Sequence, residues 1–283
     1  MIKKTAIITG GAGSMGKEIT KAVAKAGFTT IMADLPRKEA EQACSKIKEE
    51  TNGEVVFFPV DLASADSIFS FVEKVKNDYG QIDLLINNAG ALYPKKKDVE
   101  GKWDYTLMVN YFGHYLLTNK LLSSFCEGAR IVNVCSLTYQ YGKIKPQLFE
   151  CGRNSWVQQM YNYFNSKLAL LYFTLDLTEQ LKEKQITANC SDPGIVGTNI
   201  IAMNNKTFDK ICDVFARPFM KSPKKGAQTA IYLALNESAG KITGGYFKNV
   251  KQVSILPRVL QSNEREILRQ LTADLLREKN IML

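Results

Sequence analysis

The chain has 283 residues, a formal net charge of +9, an apolar fraction of 45% and a charged fraction of 23%. This is the balance of an ordinary globular protein, with enough apolar material for a core that needs neither disulfides nor metals as staples. The lysines are spread along the chain and their longest run is only Lys95-Lys96-Lys97, which disfavours a nucleic-acid-binding arm.

The cysteines and the single histidine limit the kinds of site further. No two of the six cysteines form a Cys-x-x-Cys pair, and no cysteine pair stands near His114. We therefore expect no metal site, and reduced thiols in a cytoplasmic protein. No apolar run approaches the ~20 residues of a membrane span, and the first residues lead into a strand rather than a targeting segment.

Short apolar runs alternate with amphipathic stretches over the first half of the chain. The predicted strands are residues 5–9, 29–33, 55–60, 84–87 and 130–135. The predicted helices are residues 14–26, 37–50, 64–78 and 98–125. Near-continuous apolar strands separated by helices indicate an α/β protein whose parallel sheet is covered on both faces. Right-handed crossovers make it a doubly wound Rossmann fold.

The second half is expected to complete the same domain. The irregular, aromatic stretch from Gln140 to Gln159 indicates a loop insertion, and residues 199–219 indicate a lobe over the site. The other predicted elements are a helix at 159–183, a strand at 186–190, a helix at 226–235, a strand near Tyr246 and a helix at 263–276. We expect residues 1–283 to form one dinucleotide-binding domain, with substrate loops near 140–159 and 199–219.

A glycine-rich turn joins the first predicted strand to the first predicted helix. It consists of Gly10, Gly11, Ala12, Gly13, Ser14, Met15 and Gly16, in which Gly11, Gly13 and Gly16 satisfy Gly-x-Gly-x-x-Gly. Glycines permit a tight turn and let backbone N–H groups approach a pyrophosphate at the helix N-terminus. The turn also nearly matches a nucleoside-triphosphate loop, but Glu18 stands where that loop needs a hydroxyl for Mg²⁺. We therefore predict a dinucleotide site.

Asp34 lies 18 residues after Gly16, at the end of the second predicted strand. A carboxylate at this place accepts hydrogen bonds from the adenosine ribose hydroxyls and repels a 2′-phosphate. We therefore expect NAD to be preferred. NADP stays open as the alternative, because Lys17, Arg37 and Lys38 are basic residues that could hold a phosphate.

Tyr163 and Lys167 are four residues apart on a predicted helix and share one face. A fixed ammonium lowers the pKa of a phenol toward neutral pH, which suits Tyr163 as a general acid and base. Ser136 closes the fifth predicted strand, at the sheet edge where ligands bind, and its hydroxyl can stabilise a developing oxyanion. Asn110, in the preceding helix, can hold a water or a backbone carbonyl next to Lys167.

These motifs, in their order and spacing, resemble the short-chain dehydrogenase/reductase family over nearly the full chain. They are the glycine turn, Asn87-Asn88-Ala89-Gly90, Asn110, Ser136, Tyr163-x-x-Ser166-Lys167 and Pro193-Gly194. The resemblance implies hydride transfer between NAD(H) and an alcohol or carbonyl, catalysed by a tetrad of Asn110, Ser136, Tyr163 and Lys167. It implies a homodimer or homotetramer built on the long helices.

The resemblance also implies further cofactor contacts beyond the glycine turn. Asp61 and Leu62 would flank the adenine, and Asn88, Ala89 and Gly90 would pass under the adenosine ribose. The nicotinamide carboxamide would be held by Pro193, Gly194, Val196 and Thr198. Lys167 would bind the nicotinamide ribose.

Residues 109–118 and 163–170 are similar to the retinol-dehydrogenase-like branch of this family, as is the interval of 27 residues from Ser136 to Tyr163. That branch implies a bulky, hydrophobic substrate of retinoid, steroid or lipid type. Two other classes stay open: a non-catalytic dinucleotide-sensing or partner-binding protein, and a nucleotide-sugar epimerase or dehydratase. Ser14, which replaces a glycine of the family's turn, favours the latter two. A hydrolase lacks support, because no Gly-x-Ser-x-Gly elbow accompanies His114.

Overall fold

An eight-stranded sheet forms the centre of the molecule. The computed structural model describes residues 3–93, 95–196 and 220–283. The strands in these residues are β1 (Thr5–Thr9), β2 (Thr29–Asp34), β3 (Val55–Pro59), β4 (Ile82–Asn87), β5 (Asp98–Val99), β6 (Trp103–Asp104), β7 (Phe125–Val134), β8 (Thr187–Asp192), β9 (Tyr246–Lys248) and β10 (Lys251–Val253). Strands β5 and β6 form a separate hairpin, and the other eight form the central sheet. The sheet order is β10-β9-β8-β7-β4-β1-β2-β3. Neighbours are parallel except β9 and β10, so the predicted doubly wound parallel sheet is confirmed.

Helices cover both faces of this sheet. They are α1 (Ser14–Lys25), α2 (Lys38–Thr51), α3 (Ala65–Tyr79), α4 (Tyr105–Leu107), α5 (His114–Lys120), α6 (Trp156–Gln180), α7 (Pro223–Leu235), α8 (Pro257–Leu260) and α9 (Glu264–Glu278). A π-helical turn, Met108–Gly113, joins α4 to α5. Neighbouring strand residues point to opposite faces. Ile8 packs with α1 and α7, whereas Ile7 packs with α3, α5 and α6.

The prediction of a helix over residues 98–125 was wrong at both ends. Residues 98–104 form the small β5–β6 hairpin, whose turn places Glu100 and Gly101 at φ of 56° and 71°. The helix starts after it, where the Asp104 carboxylate accepts the N–H of Leu107 at 3.0 Å. At the other end, β7 begins at Phe125 and not at residue 130. Buried apolar residues continue past Lys120, so apolar spacing alone did not show where the helix stops.

Two smaller differences concern the second half of the chain. Helix α6 begins at Trp156, three residues before the predicted start, and a 3-10 helix at Leu137–Tyr141 opens the expected loop insertion. Strand β10 was not predicted, because its three exposed residues carry no apolar pattern. The predicted lobe at 199–219 lies outside the described residues. Within the described ranges, no helix combines the length and apolarity that a membrane crossing requires.

Helix α9 packs against α6 and the π-helical turn. The hydroxyls of Tyr111 and Thr272 lie 2.8 Å apart in a buried contact. On the surface, Arg265 and Arg269 both pair with Asp176 of α6, at 2.6 and 2.7 Å. The chain therefore covers part of this helix face itself, and the homodimer or homotetramer implied for that face stays a prediction.

Candidate active site

The glycine turn is held by close backbone contacts. A Cβ at Gly16 would lie 2.0 Å from the carbonyl oxygen of Gly10, and a Cβ at Gly10 would lie 2.8 Å from the Cα of Ala89. Helix α1 begins at Ser14, so the serine is accommodated as the first helical residue. In the part of the chain that the structure describes, no side chain caps the first amides of α1, and its first turn has no acidic residue. Free N–H groups at the positive end of a helix suit a pyrophosphate.

Asp34 lies at the rim of this turn, as predicted. Its Oδ2 accepts the N–H of Ala12 at 2.9 Å, and its Oδ1 accepts the N–H of Leu35 at 2.8 Å. The same Oδ1 pairs with Arg37 at 2.9 Å, and only 7% of the Asp34 side chain is exposed against 55% for Arg37. The carboxylate therefore fixes the turn, and a guanidinium lies beside it.

The predicted adenine-flanking residues follow β3 on the side of β2. The N–H of Val60 donates to the carbonyl of Asp34 at 2.8 Å, which ties the two strand ends together. The Asp61 carboxylate accepts the N–H of Ala63 at 2.9 Å, and Leu62 is buried. A Cβ at Gly113 would lie 2.2 Å from the carbonyl oxygen of Leu62, so the π-helical turn packs directly against this segment.

The segment Asn88–Gly90 lies beside the glycine turn. The amide of Asn88 donates to the carbonyls of Thr9 and Gly10 at 2.9 and 3.2 Å. The hydroxyl of Thr9 accepts the backbone N–H groups of Asn88 and Ala89 at 2.9 and 3.0 Å. Gly90 continues this half-buried segment toward Ala91. The structure therefore brings the ends of β1 and β4 together, and the contact of Asn88, Ala89 and Gly90 with the adenosine ribose stays a prediction.

Asn110 lies fully buried in the π-helical turn. Its Oδ1 accepts the N–H of Ala91 at 2.7 Å, while its Nδ2 donates to the Ala91 carbonyl at 3.0 Å and to Ser166 Oγ at 3.1 Å. Ser166 Oγ donates in turn to the carbonyl of Tyr163 at 2.7 Å. The side chain of Asn110 thus joins the segment beside the glycine turn to α6, and the carbonyl it holds is that of Ala91.

Tyr163, Lys167 and Ser136 meet where β7 ends. The Lys167 ammonium lies 5.6 Å from the centre of the Tyr163 ring and donates to the Val134 carbonyl at 2.9 Å. Burial lowers the pKa of Lys167. Ser136 starts the 3-10 helix, and its Oγ accepts the N–H of Thr138 at 3.3 Å. The three side chains are therefore brought together as predicted.

The pKa of Tyr163 differs from the sequence-based expectation. Burial raises it to about 12, although a hydrogen bond with Ser136 lowers it. The ammonium of Lys167 is directed at the Val134 carbonyl, so it does not offset the cost of burying a phenolate. At neutral pH Tyr163 is a phenol, which is the form that donates a proton.

The segment after β8 lies against the start of α1. Gly194 has a φ of 75°, and its N–H donates to Asp192 at 2.8 Å. A Cβ at Gly226 would lie 2.6 Å from the Val196 side chain and 3.3 Å from Met15 Sδ, so the segment after β8 and the glycine turn meet at Gly226. Of the four predicted carboxamide contacts, Thr198 lies outside the described residues.

Lys221 is a residue of this region that the sequence analysis missed. Its Nζ donates to the carbonyl of Pro193 at 3.0 Å and to Asn249 Oδ1 at 2.6 Å. Its backbone pairs with Ile195 and Val196. No motif or spacing connects Lys221 with Pro193, because the two residues are 28 positions apart in the sequence and meet only in the folded chain.

Among the described residues, no group of three His, Cys, Asp or Glu side chains is placed to hold a metal ion.

Comparisons with known proteins give consistent matches. A family model described as short chain dehydrogenase matches residues 4–209. Retinol dehydrogenase 14 of Mus musculus is 33% identical over 92% of this chain and 82% of its own length. Polyprenol dehydrogenase of Homo sapiens is 33% identical over 89% of this chain and 79% of its own. A 3-ketoacyl-(acyl-carrier-protein) reductase from Brucella melitensis, solved in complex with NADH, has the same fold, with a TM-score of 0.65. Its sequence is 24% identical, and the match covers 87% of this chain and 96% of that one.

Proposed function

Because the chain belongs to the short-chain dehydrogenase/reductase family, in its retinol-dehydrogenase-like branch, we propose that it moves a hydride between NAD(H) and a bulky hydrophobic alcohol or carbonyl, with Tyr163 as general acid and base. One observation carries this proposal. The glycine turn follows β1, and the group of Ser136, Tyr163 and Lys167 lies where β7 ends, so both lie at the carboxyl ends of the parallel strands. This is the edge at which parallel α/β sheets bind ligands.

A nicotinamide dinucleotide, when bound, gives or takes the hydride. The protein's own residues orient the substrate and move the proton. In reduction, the Tyr163 phenol donates its proton to the substrate oxygen, while the Ser136 hydroxyl stabilises the charge that develops there. In oxidation, Tyr163 must first lose its proton and then accept that of the alcohol. The uncapped amides of α1 fit the pyrophosphate, and Lys167 is proposed to hold the nicotinamide ribose.

Exposed aromatic side chains grouped around Phe164 of α6 support a hydrophobic substrate. The rings of Tyr141 and Tyr161 lie 5.7 and 6.0 Å from that of Phe164, and both tyrosines are more than half exposed. Their apolar surface lies on and beside the helix that carries Tyr163. The names of two relatives, retinol dehydrogenase and polyprenol dehydrogenase, indicate isoprenoid alcohols as substrates of those proteins.

The cofactor proposal is tested by fluorescence titration with NADH and NADPH, through energy transfer from Trp103 and Trp156. We expect tighter binding of NADH. Asp34→Ala should shift the preference about tenfold toward NADPH, because it removes the buried carboxylate and frees Arg37 for a 2′-phosphate. Glu41→Ala removes an exposed carboxylate from α2, the helix that follows Asp34, and serves as the matched control. Equal affinities in the unmutated protein would contradict Asp34's role, and binding of neither cofactor would favour the non-catalytic, partner-binding alternative.

The raised pKa of Tyr163 predicts different pH profiles in the two directions. With a pKa of about 12, the phenolate fraction increases about tenfold per pH unit between pH 6.5 and 9. We therefore expect kcat/KM for alcohol oxidation to rise with this slope, and kcat/KM for carbonyl reduction to stay flat. Initial rates in buffers of constant ionic strength measure both. A plateau of the oxidation rate below pH 8 would show that the reactive group has a lower pKa than Tyr163 has here.

A further inference from the structure

His114, the single histidine of the chain, has no role in the proposed mechanism. It lies between Thr9, at the end of β1, and Asn110, in the π-helical turn. Its side chain is fully buried. The ring Nδ1 lies 3.1 Å from the carbonyl oxygen of Asn110, and Nε2 lies 2.9 Å from the hydroxyl of Thr9. One nitrogen therefore faces the π-helical turn that carries Asn110, and the other faces the end of β1.

These contacts determine the tautomer of the ring. A carbonyl oxygen can only accept, so Nδ1 must carry the hydrogen that it shares with Asn110. Burial lowers the pKa of His114 to about 3, which keeps the ring neutral. Nε2 consequently accepts the hydroxyl hydrogen of Thr9. The two lone pairs of Thr9 Oγ1 receive the N–H groups of Asn88 and Ala89, so every polar atom in this group has a partner.

The π-helical turn explains why a side chain is needed here. In a regular α-helix the carbonyl of Asn110 would accept the backbone N–H of His114. In this turn that N–H donates to the carbonyl of Tyr111, and the imidazole of the same residue bonds the Asn110 carbonyl. The Asn110 side chain then continues through Ser166 to the carbonyl of Tyr163. Hydrogen bonds joined through the covalent bonds of His114 and Asn110 thus connect the Thr9 hydroxyl with the backbone carbonyl of Tyr163.

We propose that His114 is a positioning residue, which fixes Asn110 and couples the segment beside the glycine turn to the helix that carries Tyr163. It contacts neither substrate nor cofactor, and it acts by holding the backbone of the π-helical turn in one geometry. The inference rests on the proposed oxidoreductase function for its effect on turnover. The proposed tautomer and hydrogen bonds of His114 do not depend on that function.

The tautomer of His114 is tested in the unmutated protein by ¹⁵N NMR after labelling histidine. Because the chain contains one histidine, the spectrum reports His114 alone. We expect a neutral ring with the hydrogen on Nδ1, unchanged between pH 5 and 8. A ring with the hydrogen on Nε2, or one that titrates in this range, would overturn the proposal. Neither result depends on turnover, so this failure is distinct from failure of the proposed function.

The effect on catalysis is tested with His114→Asn and His114→Phe. Asn119, on the same helix, donates from its side chain to the carbonyl of Tyr115 four residues earlier at 2.8 Å. An asparagine at 114 should make the same bond to Asn110, and we expect its kcat within about threefold of the unmutated enzyme. His114→Phe removes the bond and should lower kcat about tenfold to a hundredfold, with KM and the NADH Kd nearly unchanged.

Asn119→Ala is the matched control, since it loses a bond of the same type outside this series and should keep its kcat. A folded His114→Phe protein with unchanged kcat would contradict the proposal. Should that variant fail to fold, a folded His114→Asn protein decides the question. A kcat more than tenfold below that of the unmutated enzyme would then show that the bond to Asn110 is not what matters.

Discussion

Tyr163→Phe is expected to lower kcat by about a thousandfold or more in both directions, which is the range of a lost general acid or base. The change removes only the hydroxyl, while the ring that lies 5.6 Å from the Lys167 ammonium remains. Helix α6 continues to pair through Ser166 with Asn110, because that contact uses the backbone carbonyl of residue 163. NADH should therefore bind with nearly unchanged Kd.

The measurement combines two readouts on the same preparation. Absorbance of NADH reports turnover with bulky hydrophobic ketones or aldehydes, and tryptophan energy transfer reports binding. Tyr161→Phe is the matched control: it deletes the same hydroxyl two residues earlier, on a side chain that is 52% exposed, and keeps the ring that the proposed substrate surface uses. Its kcat should stay within about twofold. Turnover that survives in Tyr163→Phe would remove Tyr163 from the mechanism, and loss of binding together with turnover would indicate a disturbed site.

Gly16→Ala is expected to weaken NADH binding by about a hundredfold or more, the consequence of forcing a backbone shift at a packed site. The new methyl group would lie 2.0 Å from the carbonyl oxygen of Gly10 and 2.9 Å from the Cα of Gly11. Both contacts are with backbone atoms, so relief requires α1 to move away from the turn. The first amides of α1 would then no longer point at the pyrophosphate.

Gly13→Ala supplies the graded comparison, because a Cβ there would approach the same Gly10 oxygen only to 3.2 Å. Its φ of −69° is allowed for alanine. We expect a much smaller rise in Kd than for Gly16→Ala. Thermal unfolding of both variants separates loss of fold from loss of binding. A Gly16→Ala protein that binds NADH as tightly as the unmutated chain would contradict the placement of the pyrophosphate.

Much of the fold follows from local pattern. The strands of a sheet covered on both faces are continuous apolar runs, and every residue of β1 and β2 is buried. Helix limits were less predictable where a turn depends on tertiary contacts. The hairpin before α4 is fixed by left-handed residues at 100 and 101 and by the Asp104 cap, none of which interrupts the apolar spacing that indicated a longer helix.

The candidate site was predictable to the extent that its chemistry is carried by short motifs. Asn110, Ser136, Tyr163 and Lys167 were proposed in this way; the structure places Lys167 beside the Tyr163 ring and links Asn110 to α6 through Ser166, and their catalytic roles stay a prediction. The pKa of Tyr163 was not predictable, since it depends on burial and on the direction of a neighbouring ammonium. The contacts of His114 and Lys221 were not predictable either, because each side chain bonds a backbone carbonyl that no motif identifies.

The contact between α9 and the π-helical turn has a consequence for how the protein folds. Tyr111 and Thr272 are 161 positions apart, so their bond forms only after a long loop has closed. The pairings of the parallel sheet join residues no more than 78 positions apart, as Ala6 and Leu84 are, and are expected to form first. Docking of α9 against Tyr111 is then expected as a late step, which completes the packing around the turn that carries Asn110.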